Sequence, residues 1–152
     1  MATAIKTEST FRLEISVRCG IRASAGRIWS FLTNAAAFPR WNSTVTSLEG
    51  TIALGEKLAL KVPLDAKRTF RPTVTRLDEN ALMEWSDGMA PMFKGVRRFH
   101  LTPQADGSTE FEMHEVFSGI MLPMIKGSFP DFRPAFETYA EDLKRAAEGG
   151  AA

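Results

Sequence analysis

The chain has 152 residues, 44% hydrophobic and 24% charged, which is typical of one soluble globular domain. Two independently folded domains would each be small for a stable core. Nineteen basic and eighteen acidic residues give a formal net charge of +1. Proteins that bind nucleic acid by neutralising phosphates usually carry a basic excess. We therefore expect no nucleic-acid partner.

Cysteine and histidine are scarce. The single cysteine, Cys19, excludes an intrachain disulfide and a thiolate zinc site, and the two histidines, His100 and His114, are too few for a His-rich metal cluster. We therefore expect neither a metal nor another cofactor. No uncharged apolar run approaches the ~20 residues that span a bilayer, and the first residues lack the apolar core of a secretory signal. These features predict a cytoplasmic protein without integral membrane association.

The N-terminal part begins without a clear pattern and then alternates strictly. Residues 1–8 are predicted to form a flexible tail, and residues 9–149 a single domain. From Phe11 to Cys19 every second side chain is apolar and the side chains between them are mostly polar. Such alternation predicts a long strand with one buried and one solvated face.

Two short helices are predicted next. Ser24 is a suitable N-cap for an amphipathic helix that contains Ile28 and Leu32. Asn34 could cap a second helix, which Pro39 would end because proline interrupts the helical hydrogen-bond ladder.

The rest of the chain alternates between strands and turns until it changes period near its end. Six antiparallel strands in meander order are predicted over residues 44–119. Apolar residues then recur every three or four positions from Phe129, which predicts an amphipathic helix of about five turns. Because of Pro130 and Pro134, this helix either begins near Asp131 or is kinked near Pro134.

This order of elements predicts an α+β fold. The first strand and the six later ones form a sheet with one apolar face, which must be covered. The C-terminal helix, at ~1.5 Å per residue, is the only element long enough to cover it. We predict a helix-grip fold, in which a curved seven-stranded antiparallel sheet wraps around that helix and encloses a space.

Several short motifs occur in a characteristic order. They are Ala23-Ser24 with Ile28-Trp29, Phe38-Pro39-Arg40-Trp41-Asn42, Leu48-Glu49-Gly50 with Gly55, Trp85, Gly107-Ser108-Thr109, Glu115, and Phe117-Ser118-Gly119. As a set, over residues 11–148, they resemble the SRPBCC helix-grip superfamily of START, birch-pollen-allergen-like and polyketide cyclase/dehydrase-like domains. The resemblance implies the binding, carriage or modification of a hydrophobic ligand. It supplies no universal catalytic residue.

The hairpin at Asp106-Gly107 can be placed in register by its apolar residues. A three-residue loop pairs Phe99 with Met113 and Arg97 with Glu115, all on one face. A two-residue loop would mix apolar and charged side chains on that face, and such a slip is disfavoured in a half-buried sheet. We therefore predict an Arg97–Glu115 ion pair on the inner face.

Two interpretations of this pair remain open. It could orient a polar ligand group or take part in acid–base chemistry, or it could be a partly buried ion pair that only sets the register. Tyr139, on the apolar stripe of the C-terminal helix, is either a core residue or a donor to a ligand or to Glu115. Glu115 and Tyr139 are the candidate catalytic residues. By parity, His100 and His114 face solvent.

A candidate ligand-binding set follows from the same register and helical spacing. Its predicted members are Trp85, Met92, Arg97, Phe99, Met113, Glu115, Phe117, Phe132, Phe136 and Tyr139. The seven methionines are either core filling or an adaptable wall for an apolar ligand. Residues 87–92 are predicted to form an entrance loop, and residues 119–127 a lid-like turn.

The predicted function is to bind or carry a hydrophobic small molecule, such as a lipid, a polyketide or an aromatic compound, as a monomer or weak homodimer. The alternative is a polyketide cyclase/dehydratase-like enzyme that uses Glu115 as acid or base. A third interpretation, a protein-interaction domain of the co-chaperone type, would need an exposed patch that no sequence feature singles out.

Overall fold

The structure, a computed structural model, describes residues 2–149. In chain order its strands and α-helices are β1 (Thr3–Ser9), β2 (Arg12–Ile21), α1 (Ala25–Leu32), α2 (Phe38–Trp41), β3 (Ser47–Glu49), β4 (Ala59–Lys61), β5 (Thr73–Asp78), β6 (Leu82–Met89), β7 (Phe93–Pro103), β8 (Thr109–Ser118), α3 (Leu122–Ile125) and α4 (Arg133–Glu148). Short 3-10 helices cover Ala35–Ala37, Pro63–Asp65 and Lys126–Ser128. The predicted α+β class and the antiparallel sheet packed on a long C-terminal helix are confirmed.

The strands divide into two sheets rather than the single seven-stranded sheet predicted. Six strands form one antiparallel sheet in the order β1-β2-β8-β7-β6-β5, and β3 and β4 pair separately. A 3-10 helix starts at Pro63, two residues after β4, where proline cannot donate a ladder hydrogen bond. Isolated bridges pair Lys57, just before β4, with Thr73, the first residue of β5, and Leu60 of β4 with Phe70.

The predicted flexible tail is wrong, because residues 3–9 form β1 at the edge of the large sheet. Only Ala4 in this strand is buried, so its sequence shows no apolar alternation. The strand is held instead by its ladder with β2 and by α4. The backbone amides of Ala2 and Ala4 donate to the carboxylates of Glu141 (2.6 Å) and Glu137 (2.9 Å). These bonds satisfy edge groups that would otherwise be unpaired.

Two prolines that were expected to end or kink helices lie instead in the first turns of helices. Pro39 lies in the first turn of α2, whereas the prediction had it ending a helix, and Asn34 makes no side-chain capping bond. α4 begins at Arg133 with Pro134 in its first turn, so no kink is needed. A first-turn residue has no helical partner for its N–H, and proline is tolerated there.

α4 packs its apolar stripe against the concave face of the large sheet. The buried residues of this stripe are Phe136, Tyr139, Ala140, Leu143 and Ala147. Among residues 2–149, no helix is long and apolar enough to cross a bilayer.

A buried carboxylate on α4 secures the segment after α2. Asp142 accepts hydrogen bonds from the backbone N–H (2.8 Å) and the hydroxyl (2.7 Å) of Ser43, and Arg145 donates to its other oxygen at 3.0 Å. This fixes residues 43–45 against the helix, next to the cavity described below.

Candidate functional site

A cavity of about 1290 Å³ lies between the large sheet and α4. Its lining comes from the inner faces of β6, β7 and β8, from the N-terminal half of α4, from residues 60–72 and from residues 124–130. The sheet supplies these side chains from alternate positions, since only every second residue of a strand faces inward.

The structure brings eight of the ten predicted ligand-binding residues to this lining. They are Trp85, Arg97, Met113, Glu115, Phe117, Phe132, Phe136 and Tyr139. Their role in ligand binding remains a prediction, but their placement around one space follows from the register and the helical spacing together.

Two predicted members, Met92 and Phe99, do not line the cavity. Met92 lies between β6 and β7, is 48% exposed, and contributes its carbonyl to a bond from the N–H of Met121. Phe99 has the expected inward orientation but is fully buried, and its ring packs against Trp85 (5.0 Å between centroids) and Tyr139 (6.2 Å). It belongs to the core beyond the cavity wall, where sheet and helix are in direct contact.

Arg97 and Glu115 form the predicted ion pair on the inner face. They are direct partners in the β7–β8 ladder, as the three-residue hairpin loop requires. Nε and Nη2 of Arg97 both donate to Oε1 of Glu115, at 2.9 and 2.7 Å, and both side chains are mostly buried. The guanidinium also lies over the rings of Phe136 (5.1 Å) and Tyr139 (5.9 Å), which is favourable for a cation.

Two residues of the lining each have a polar atom that is buried away from the cavity surface and has no hydrogen-bond partner among the described residues. These atoms are the hydroxyl of Tyr139, a residue 2% exposed, and the indole Nε1 of Trp85, a residue 3% exposed. Tyr139 therefore does not donate to Glu115, which was one predicted alternative. Burial raises the pKa of the Tyr139 hydroxyl well above its ordinary value of 10.0, so the group is a neutral donor at physiological pH.

The tyrosine titration is directly measurable because the chain has one tyrosine. We expect phenolate absorbance to appear near pH 10 in denaturant but only at clearly higher pH in the folded protein, because folding raises the pKa of Tyr139. The stability linked to this shift is complete below the unfolded pKa and is lost as pH rises toward the folded pKa. A folded-state titration that coincides with the denatured one would contradict the burial of Tyr139.

Sequence reasoning missed two parts of the lining. Phe93 and Phe129 join Phe117 and Phe132 in an aromatic cluster with centroid distances of 5.0–6.2 Å. Strand parity would have found Phe93, which lies two residues before Gly95 on the inner face. Residues 60–72, which form the wall opposite the sheet, have no periodic signal, because their position depends on how a loop packs.

The predicted entrance loop and lid-like turn lie only partly on the cavity, and residues 87–89 of the predicted loop belong instead to strand β6. Asp87 and Gly88 of the entrance segment line it, and so do Met124 and Ile125 of the lid-like turn, where the chain forms α3. His114 lies on the outer face, with Nε2 2.9 Å from Oε1 of Glu14.

An antiparallel sheet that holds a C-terminal helix beside an apolar cavity defines the helix-grip class. The family model for polyketide cyclase / dehydrase and lipid transport matches residues 12–148. The chain therefore belongs to this family, within the SRPBCC superfamily that its motifs resemble. No curated protein sequence matches it.

Solved structures show the same fold at low sequence identity. A START superfamily protein from Mycobacterium smegmatis superimposes with a TM-score of 0.66 at 21% identity, over 90% of this chain and 97% of that one. A norcoclaurine synthase point mutant from Thalictrum flavum, in complex with a transition-state analogue, has a TM-score of 0.71 at 14% identity, over 96% of this chain and 100% of that one. At such identities the likeness concerns the fold.

Proposed function

We propose that the protein binds or carries a hydrophobic small molecule in the cavity between the large sheet and α4. The observation that carries this proposal is the size and lining of the space, about 1290 Å³ with walls mainly of aromatic and aliphatic side chains. Small-molecule pockets are typically ~300–1,000 Å³ and mostly apolar with a few polar groups. The family's description includes lipid transport, which agrees with such a ligand.

The aromatic cluster supports an apolar ligand. Phe117 and Phe132 stack at 5.7 Å, and Phe93 and Phe129 complete the cluster. These rings add a large apolar surface without polar groups that a ligand would have to satisfy. Met124 lines the cavity and is also 76% exposed, which supports an entrance beside α3.

The experiment that tests the proposal is native mass spectrometry of the purified protein, followed by organic extraction and identification of any released compound. Purified protein from which any ligand has been removed is then incubated with apolar compounds. Each bound compound is extracted, and its mass is measured again. A bound compound recovered unchanged supports carriage. If no apolar compound binds at micromolar concentration, the proposal fails.

A second candidate function is a cyclase- or dehydratase-like reaction with Glu115 as acid or base. The observation that favours it is the carboxylate's geometry: Oε1 accepts both bonds from Arg97, and Oε2 has no hydrogen-bond partner among residues 2–149. The same recovery experiment separates the two functions, because loss of water from a recovered compound would support the dehydratase.

Blocking the cavity should abolish binding without unfolding the protein. Ala135 lies on the lining at the start of α4, and we expect Ala135→Trp to weaken binding of an apolar probe by at least ~10-fold, since the indole occupies the ligand's space. Ala146→Trp, on the same helix but away from the lining, is the matched control and should leave the probe affinity within ~2-fold. Equal affinities for both variants would place binding outside the cavity.

We further propose a cytoplasmic monomer or weak homodimer. The only cysteine, Cys19, is a free thiol. Its burial raises the pKa of the thiol, which disfavours formation of the reactive thiolate.

A further inference from the structure

One carboxylate oxygen in the cavity wall is open to a ligand. Oε1 of Glu115 accepts both bonds from Arg97, whereas Oε2 has no hydrogen-bond partner among the described residues. Trp85 Nε1 and Tyr139 Oη are unpartnered and fully buried, but Oε2 of Glu115 keeps accessible surface, and Glu115 lines the cavity. A ligand in the cavity can therefore reach this oxygen.

Gly95 leaves the space beside this oxygen free of a side chain. Gly95 lines the cavity on the same face of β7 as Arg97, opposite Phe117 in the β7–β8 ladder. A Cβ at this position would lie 3.8 Å from Oε2 of Glu115 and 3.4 Å from the ring of Phe117. Glycine inside a strand often marks a place where a ligand approaches closely. A side chain here would occupy part of the approach to Oε2.

The chemistry of the ion pair defines the ligand group that fits. A carboxylate paired with an arginine only accepts hydrogen bonds, so the ligand group beside Oε2 must donate one. A guanidinium has five N–H donors, and Arg97 gives two of them to Glu115. A hydroxyl group donates and also accepts, which suits it to a wall that contains both a free carboxylate oxygen and a guanidinium.

The charges favour a neutral donor. Arg97 and Glu115 neutralise each other, so a ligand ammonium group would lose its hydration beside a carboxylate that is already paired and a guanidinium that repels it. Asp87, opposite Gly95 in the β6–β7 ladder, also lines the cavity, but it is exposed and solvent screens its charge. A neutral hydroxyl avoids the cost of burying a further charge.

We propose that the free oxygen of Glu115 and the opening at Gly95 form a subsite for the hydroxyl group of an apolar alcohol or phenol. Gly95 is then a specificity-determining position, because it keeps Oε2 within reach. This inference rests on the proposed function, because the rest of the ligand occupies the apolar cavity.

The test compares three probes with equal numbers of heavy atoms: decyl alcohol, methyl nonyl ether and decylamine, which is protonated at neutral pH. Each displaces an apolar fluorescent probe from protein from which any ligand has been removed. The ether accepts hydrogen bonds but cannot donate one. We expect the alcohol to bind about 10-fold more tightly than the ether, as a hydrogen bond to a charged acceptor would give. Decylamine should bind more weakly than the alcohol.

Three variants assign this preference to the subsite, and the alcohol-to-ether affinity ratio removes differences in hydration between the probes. Arg97→Met with Glu115→Leu should lower the ratio about 10-fold, because the acceptor is gone. Gly95→Ala should lower it about 3-fold or more, because the methyl group restricts the approach to Oε2. Gly20→Ala is the matched control: Gly20 is a strand glycine away from the lining, where an added Cβ meets no atom within 4 Å. Its ratio should equal that of the unmodified protein.

A crystal structure of the unmodified protein with decyl alcohol keeps the test independent of variant folding. We expect the hydroxyl oxygen ~2.5–3.0 Å from Oε2 of Glu115. If alcohol and ether bind equally, or the hydroxyl points to the entrance, the subsite is wrong and apolar binding stands. Tighter binding of decylamine than of the alcohol overturns the neutral donor. If no probe binds, the proposed function fails and this inference fails with it.

Discussion

Replacing Arg97 with methionine is expected to lower the free energy of unfolding by about 3 kcal/mol, measured by urea denaturation. The substitution keeps most of the apolar stem but removes the only cation that binds Glu115 among residues 2–149. The side chain of Glu115 is 15% exposed, in a wall that is mainly apolar. This loss of stability is at the lower end of the range for removing one partner of a buried ion pair, because some solvent still reaches the carboxylate.

Two comparisons separate the loss of this pair from the loss of an arginine. Arg97→Met combined with Glu115→Leu should recover most of the stability, because an apolar pair of similar volume often replaces a buried ion pair without loss. Arg76 and Asp78 form an exposed pair at 2.8 Å, and Arg76→Met should cost less than ~1 kcal/mol. If Arg97→Met costs no more than Arg76→Met, the inner pair does not stabilise the fold.

The double variant also decides between the two interpretations of the pair. If it folds and binds the probes as the unmodified protein does, Arg97 and Glu115 serve register and stability alone. If binding of polar-headed ligands falls while hydrocarbon binding remains, the pair orients the ligand.

The second large effect is expected at Gly119, immediately after β8. Its φ of 132° is a conformation that L side chains rarely adopt, and an added Cβ would lie 2.3 Å from the carbonyl oxygen of Met92. We expect Gly119→Ala to lower the free energy of unfolding by about 3 kcal/mol, because backbone strain and a backbone clash act together.

Gly107 provides the matched control. Its φ of 87° is also positive, but an added Cβ there meets no atom within 4 Å. Gly107→Ala should therefore lower the free energy of unfolding by about 1 kcal/mol, from backbone strain alone. Equal effects in thermal or urea denaturation would show that the contact with Met92 does not constrain Gly119.

Gly119 also connects the turn before β7 to the turn that leads into α3. Its N–H donates to Phe11 (3.2 Å), and the next two amides donate to Pro91 (3.0 Å) and Met92 (2.9 Å). A side chain at this position would displace the turn that leads into α3, so we expect Gly119→Ala to weaken probe binding as well.

The large elements could be predicted from the sequence because their signals are local. Alternation predicts β2 and the inward face of β7 and β8, and helical spacing predicts the buried stripe of α4. β1 could not be found in this way, because its edge position buries little beyond Ala4 and its stability comes from backbone bonds to β2 and α4. The separation of β3 and β4 likewise depends on long-range packing around Pro63.

The candidate site was likewise predictable only where its residues follow a local pattern. The sequence by itself determined that Arg97 faces Glu115 among apolar side chains, because a one-residue slip would reverse every inward position. Only the tertiary structure decided that these side chains surround an open space, that Phe99 lies outside it, and that residues 60–72 close its far wall. Whether a sheet and a helix meet or leave room between them depends on their separation, which no local pattern encodes because it results from all the contacts that hold them apart.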